Sequence, residues 1–395
     1  MTRIILKKGH DGSLRRFHPW IFSGAVARVE GDEPREGDIV TVYSHSGEFL
    51  ACGHWQIGSI AVRVLRFTDE TLTDDFWETR LGACLTLRRN LHLKGTDCYR
   101  LVHGEGDGLP GLIIDWYNGT CVLQAHSVGM FLSRSLIVEA LKKIYGEELK
   151  AVYDKSSGTA PFKAGLDLKD GYLFTADGYS AADGCVVSEN GHKFLVDWEN
   201  GQKTGFFLDQ RENRSLVERY AAGRNVLNLF CYTGGFSVYA LSGGALSVDS
   251  VDSSSKAIAL TDKNIELNGF SDKHKSFCED AIDFVKAAPK DKYDLIIVDP
   301  PAFAKHRGAL RNALRAYQRL NAAAINAVAP GGFIFTFSCS QVVDRQAFAL
   351  AVFSAAAETG RRVRILDRLN QPADHSVNIY HPEGEYLKGL VLYVE

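Results

Sequence analysis

The stretch 224–235, RNVLNLFCYTGG, constrains this chain more than any other. Val226, Leu227, Leu229 and Phe230 form a short apolar run that stops at Tyr232-Thr233-Gly234-Gly235. A run of that length ending in a glycine turn reads as a buried strand, and residues 236–241 behind it read as a helix. Open α/β sheets build nucleotide pockets from this succession of strand, turn and helix. Glycines there let backbone approach a ligand with no Cβ in the way. The next strand, 245–252, ends at Asp252, roughly twenty residues past the first strand, where a carboxylate can accept both ribose hydroxyls. An ordinary βαβ crossover would read the same over these residues alone.

The strand and turn at 224–235 carry neither the dinucleotide fingerprint G-x-G-x-x-G nor the phosphate loop G-x-x-x-x-G-K-[ST], which disfavours a dehydrogenase and an ATPase. S-adenosylmethionine carries no phosphate. Its site needs the turn and the ribose acid but no phosphate cradle.

Downstream, strands and helices alternate, which predicts a mostly parallel, doubly wound sheet. A helix is expected over 255–268 and a strand over 276–278, ending at Asp280, where an acid can accept from an adenine amino group. The strand 294–298 ends in Asp299-Pro300-Pro301-Ala302-Phe303. A helix (311–328), a turn (330–332) and a strand (333–337) follow, the strand ending in Ser338-Cys339-Ser340. A helix over 344–358 and strands near 363–366 and 389–394 complete the pattern. Asp252, Asp280, Asp299 and Cys339 thus end four strands on the edge where such sheets bind ligands. The proline pair after Asp299 fixes an extended backbone that can hold its carboxylate against a planar base.

Cys339 suggests covalent chemistry. Carbon 5 of a pyrimidine is too weak a nucleophile to attack a methyl sulfonium unaided. A thiolate adding at carbon 6 makes carbon 5 enamine-like, and loss of the carbon-5 proton after methylation expels the thiolate. Asp299 is placed to support the cytosine at N3. The competing reading of Cys339 is a buried structural thiol; Cys231 is expected to pack beneath the ligand.

Before this region, residues 1–70 read as a small β domain. Its first part is locally basic, and Arg15, Arg16, His18 and Trp20 suggest RNA contact through phosphate pairing and base stacking. Trp20 and Phe22 read equally as core. Residues 71–192 read as an α+β module with a helix over 75–93 and another over 131–145; the GEGDGLPG segment at 104–111 reads as turns, and 158–191 as weak strands or linker. Lys203, Gln210 and Arg211 precede the helix feeding the opening strand, where a polar group can lean over a ligand. The eight cysteines are scattered without a CxxC pair, which suggests neither a metal site nor a disulfide framework and fits a reducing cytoplasm. No apolar run is long enough to span a bilayer, and the net charge of −3 leaves local basic patches as the route to nucleic acid.

Several motifs carry a family resemblance: NLFCYTGGF (228–236), SVDSS (250–254), DPPAF (299–303), TFSCS (336–340) and KTGFFLDQR (203–211). With HPWIFSGAV (18–26), YRLVHGEGDGLPG (99–111) and ADHSV…PEGEYLKG (373–389), the chain resembles the bacterial large-subunit ribosomal RNA cytosine-5 methyltransferases. The resemblance implies an α/β enzyme: a PUA-like RNA-binding β-barrel (1–70), a central α+β domain (71–192) and a Rossmann-like methyltransferase domain with a final antiparallel strand (193–395). It implies S-adenosylmethionine as cofactor and a cytosine of 23S ribosomal RNA as substrate, with no membrane partner and a homodimer left open. Cys339 would be the nucleophile and Asp299 its partner. Gln210, Asn228, Phe230, Tyr232, Thr233, Gly234, Gly235, Asp252, Ser253, Asp280 and Asp299 would hold the cofactor, and Arg15, Arg16, His18, Trp20, Lys203 and Arg211 the RNA. Other RNA cytosine-5 methyltransferases carry a second cysteine after the fourth strand, where this chain has Pro301 and Ala302. The base that removes the carbon-5 proton is therefore open, with water or Asp209 as candidates. The alternatives are an RNA guanine-N methyltransferase, which has no use for Cys339, and a non-catalytic ribosome assembly factor.

Overall fold

The computed structural model describes residues 2–68, 71–161, 165–180, 185–304 and 306–395. It condenses into two units. One holds Met1–Cys185, Val196–Phe206 and Ala373–Gly384, the other Val186–Leu195, Phe207–Pro372 and Glu385–Glu395.

In the first unit, strands β1 (Arg3–Leu6), β2 (Trp20–Phe22), β3 (Val26–Glu30), β4 (Ile39–Tyr43), β5 (Phe49–Trp55) and β6 (Ile60–Arg66) form one sheet ordered β2-β6-β5-β4-β1-β3. Its core is Ile4, Leu6, Ile21, Val40, Val42, Val62 and Val64. Val62 and Val64 of β6 face this core, and Ala61 and Leu65 are buried on the strand's other side.

Helix α1 (Phe76–Asn90) leads to β7 (Cys98–His103), β8 (Leu112–Tyr117) and β9 (Thr120–Ala125); helices α2 (Val128–Leu132) and α3 (Arg134–Tyr145) precede β10 (Ala151–Asp154) and β11 (Gly171–Thr175). These strands form a second sheet, β11-β10-β9-β8-β7. The helix expected over 131–145 is two helices that meet at Ser133, because Ser127 caps an earlier start through Met130 N. The 104–111 segment contains a 3-10 turn, 104–107, stopped by Gly108.

The region read as weak strands or linker falls partly outside the described residues; the described part supplies β11 and β12 (Cys185–Glu189), which pairs with β13 (His192–Val196). Asn190 and Gly191 join β12 to β13 with φ of 50° and 87°. That is the Asn-Gly hairpin signal, unread in the sequence. Glu189 at the tip is fully buried and takes two hydrogen bonds, at 2.8 and 2.7 Å, from the Arg214 guanidinium.

In the second unit, helix α4 (Arg211–Tyr220) opens the alternation β14 (Asn225–Leu229), α5 (Gly235–Ser242), β15 (Ser247–Asp252), α6 (Ser255–Leu267), β16 (His274–Cys278), α7 (Ala281–Ala287), β17 (Tyr293–Val298), α8 (Leu310–Ala327), β18 (Val328–Ser338), α9 (Arg345–Thr359), β19 (Val363–Asn370) and β20 (Lys388–Val394). The sheet order is β16-β15-β14-β17-β18-β20-β19. Strands β14 to β18 pair in parallel and β20 inserts antiparallel between β18 and β19. Leu227, Leu229, Ile296 and Val298 share one core with α7, α8 and α9, while Asn228 on the other face meets α5. Burial on both faces explains why β14 is apolar apart from Asn225 and Asn228. Strand order reverses between β14 and β17, the switch point at which such sheets open a crevice. The turn expected at 330–332 instead lies within β18, as a shift in its register against β17.

Candidate active site

The site is built on the carboxyl edge of this seven-stranded sheet, where β14 ends in a turn of unusual backbone. Phe230 (φ 59°), Tyr232 (φ 46°) and Gly234 (φ 72°) all lie in the left-handed region, which is costly for side chains as large as Phe and Tyr. The surroundings hold the turn in place. Tyr232 N donates to Asp252 Oδ2 at 3.1 Å, Thr261 Oγ1 donates to Tyr232 O at 2.9 Å, and Asn264 Nδ2 donates to Thr233 O at 2.9 Å. A Cβ on Gly234 would lie 2.7 Å from Thr261 Cγ2, and one on Gly235 would lie 3.0 Å from Arg214 Cδ. The glycines therefore let the turn seat on the protein beneath it.

Asp252, half-buried at the end of β15, also accepts from Ser254 N at 2.9 Å; Ser253 beside it is exposed. Asp280, exposed at the end of β16, caps α7 by accepting from Ile282 N and Asp283 N. Asn228 lies within β14. Only 1% exposed, it donates to Ser237 Oγ at 2.8 Å and braces α5 from inside. Gln210 is likewise buried, and its amide is spent on the site's own carboxylate: Nε2 donates to Asp299 Oδ2 at 3.0 Å. Asn213 Nδ2 donates to Gln210 Oε1 at 2.6 Å, fixing which way that amide faces.

Burial and then the neighbouring Asp209 carboxylate push Asp299 up to about 7. Asp209 accepts from Tyr386 OH at 2.6 Å through Oδ2, while its buried Oδ1 has no hydrogen-bond partner. Cys339 is partly accessible, its Sγ 4.0 Å from Pro300 O. Burial, then Asp299 and Asp209, push its thiol up to about 12. Cys231 is raised similarly by burial and packs on Thr261 under the turn, as expected.

Sequence reasoning missed Lys388. The antiparallel register sets it opposite Ser338, and its ammonium donates to Ser340 O at 2.7 Å and Val343 O at 2.5 Å. Desolvation lowers it to about 8. It shapes the loop carrying Cys339 and places a positive charge beside the thiol. Its signal was present in the YLKG motif, but only the antiparallel insertion of β20 brings it to Cys339. Ala304 N donates to Ser340 Oγ at 3.3 Å, which ties the DPPAF segment to the cysteine loop.

Asp209, Asp252, Asp280 and Asp299 give this edge four carboxylates, while the nearby guanidinium of Arg214 is neutralised by Glu189. Such a donor set repels phosphate and suits a phosphate-free, cationic nucleoside, so the residues present fit S-adenosylmethionine.

The expected RNA contacts are divided. Arg16 and Lys203 are exposed. Arg15 is held by Asp11 and Glu48, so its charge is already matched. Trp20 is half-buried and donates from Nε1 to Glu105 at 2.8 Å. His18 lies beside His381 and Glu383, their nearest ligand atoms within 4.8 Å of one another, and Nδ1 and Nε2 of His381 are buried without hydrogen-bond partners. Arg211 is 1% exposed and does not face solvent, because α4 packs it inward. Sequence spacing alone could not distinguish these cases.

Two family models match the chain: an S-adenosylmethionine-dependent methyltransferase over residues 177–381 and a PUA-like domain over residues 4–67. The Ribosomal RNA large subunit methyltransferase I of Aeromonas hydrophila is 42% identical over 98% of both chains. That of Erwinia tasmaniensis is 41% identical, also over 98% of both. A methyltransferase structure complexed with SAH superposes with a TM-score of 0.85 at 25% identity over the whole of both chains. A SAM-dependent methyltransferase from Streptococcus mutans does so with 0.84, at 25% identity and full coverage of both.

Proposed function

The chain belongs to the S-adenosylmethionine-dependent methyltransferases of large-subunit ribosomal RNA, and from that premise we propose that it methylates carbon 5 of a cytosine in that RNA through a covalent bond to Cys339. The observation that carries the cytosine-5 reading is the juxtaposition of a partly accessible thiol with a carboxyl raised to about 7 at neighbouring strand ends.

When bound, S-adenosylmethionine supplies an electrophilic methyl group on a cationic sulfur. The turn at 230–235, Asp252 and Asp280 would hold it. Asp299, substantially protonated near neutral pH, donates toward N3 of the cytosine as charge builds on the ring. Cys339 gives up its proton and Sγ bonds to carbon 6; the displaced electron pair makes carbon 5 nucleophilic, and carbon 5 takes the methyl group. A proton then leaves carbon 5, the 5,6 double bond re-forms and Sγ departs as thiolate. Asp209 Oδ1, unpartnered and close enough to raise both neighbours, is the chain's own candidate to accept the carbon-5 proton; the thiol proton leaves to solvent at the first step and is regained from solvent when Sγ departs. Lys388 offsets thiolate charge and holds the loop.

This reading assigns RNA contact to residues 1–70, support to 71–192 and chemistry to 193–395. Every group named in the chemistry belongs to one chain, so the proposed steps require no second copy.

The test uses large-subunit RNA from cells lacking the protein, incubated with pure enzyme and methyl-labelled S-adenosylmethionine, then digested to nucleosides. Label is expected in 5-methylcytidine, with turnover lost in Cys339→Ala while cofactor affinity stays within about twofold, since the thiol makes no cofactor contact in this scheme. Label in a methylguanosine, or a fully active Cys339→Ala, would remove the covalent mechanism.

A further inference from the structure

Helix α8 begins just after the DPPAF segment and carries the densest unpaired positive charge in its unit. Arg311, Arg315 and Arg319 recur every four residues along it, with Arg307 four residues before Arg311, and all four are exposed. Residues at that spacing lie one above the other on a helix. Among the described residues, none of the four forms an ion pair, in a chain whose net charge is −3. Like charges at this spacing repel and destabilise the helix, a cost that a polyanion removes.

The stripe borders a groove of about 500 Å³ between α8 and α9, lined by Arg307, Leu310, Arg311, Leu314, Arg315 and Leu350. Leu350, on the α9 side of the groove, is 60% exposed. A row of guanidiniums beside an apolar floor is how proteins hold single-stranded nucleic acid, with phosphates on the cations and bases on the apolar faces. Four residues of helix advance about 6 Å, so successive arginines can each take a phosphate. In a parallel sheet, α8 and α9 both start at the carboxyl edge that carries Asp299 and Cys339. A strand leaving the site therefore meets the Arg307 end first.

We propose that the α8–α9 groove binds the single-stranded RNA flanking the methylated nucleotide, with Arg307, Arg311, Arg315 and Arg319 on its phosphates and Leu310, Leu314 and Leu350 under its bases. The proposal rests on the RNA reading above and deepens it by naming where the substrate strand lies.

The experiment measures equilibrium binding of protein-free large-subunit RNA to the full chain and to Arg311→Gln/Arg315→Gln across a salt series, with sedimentation, melting temperature and cofactor affinity as controls. Loss of two phosphate contacts should weaken RNA binding on the order of tenfold and make the log–log salt slope shallower by about 1.4. Cofactor affinity should not change, and the melting temperature should hold or rise as the repulsion is relieved. Leu350→Ala should weaken binding while leaving the slope intact. Equal RNA affinity and slope in the double variant would overturn the proposal, as would no RNA binding by the full chain. A wild-type dimer that Leu350→Asp splits without loss of RNA affinity would also overturn it, because a second copy would then be the occupant. Binding is read without turnover, so label found in the wrong nucleoside would overturn the cytosine mechanism while leaving the groove standing.

Discussion

Asp299 shows how far one carboxylate can be tuned by its neighbours. Its identity and its place at a strand end were readable, but its protonation was not, because that depends on the burial and on Asp209, which reaches it from a segment about ninety residues earlier. The shift has a consequence for stability. The folded pKa of about 7 lies above the ordinary value of 3.8, so the folded state holds the proton more tightly. The resulting contribution to stability is full below pH 3.8 and is lost as pH rises through 7. Asp299→Asn does not titrate. Its melting temperature relative to wild type should therefore be more favourable at pH 8 than at pH 5.5, and a difference independent of pH would show that Asp299 is ionised throughout. Lys388 teaches the complementary lesson, since its sequence neighbours say nothing about Cys339 and only the strand pairing does.

The turn after β14 is where local sequence and tertiary contact meet. The glycine pair announced a turn, but two of its three left-handed residues are Phe230 and Tyr232, which no propensity rule would select. They stay there because Asp252, Thr261 and Asn264 hold the backbone from the next strand and helix. Gly234→Ala should destabilise the protein by about 1–2 kcal/mol from φ alone, with more from the 2.7 Å approach to Thr261 Cγ2. Thr261→Ser keeps the hydroxyl that donates to Tyr232 O and removes that methyl group. In a denaturant cycle it should recover part of the Gly234→Ala loss, whereas strict additivity of the two changes would show that the clash is not felt. The α/β alternation of this region was legible because its central strands β14, β17 and β18 are mostly buried and rich in apolar residues, whereas β16 and β19 are largely exposed. The β12–β13 hairpin was not read, although its Asn-Gly turn was visible, because a polar, glycine-rich surrounding resembles linker.

The C-terminal course of the chain contributes to both units. After β19, residues 373–384 join the first unit, and β20 then returns to lie between β18 and β19. Within the first unit, Asp374 Oδ2 accepts from Arg100 N at 3.1 Å, and its carbonyl accepts from the buried guanidinium of Arg88 at 2.7 Å. Arg88 is also paired bidentately with Asp107 at 2.7 Å. Truncation after residue 372 therefore removes an interior strand from one unit and leaves buried donors unsatisfied in the other, each such group costing about 1–3 kcal/mol. Both units should lose cooperative unfolding in a calorimetric scan; a truncated chain that kept one sharp transition would show that the unit containing it does not depend on this segment.

The chain's local patterns were enough to specify a Rossmann-like sheet, its strand ends and the motifs on them, because periodicity and turn chemistry act over a few residues. The tertiary structure decided what those residues do. Asn228, Gln210 and Arg211 turned inward to brace the site, and Asp209 and Lys388 arrived beside Cys339 from distant segments. Protonation, solvent access and charge matching depend on every group within several ångströms, and most of those groups are far away along the chain.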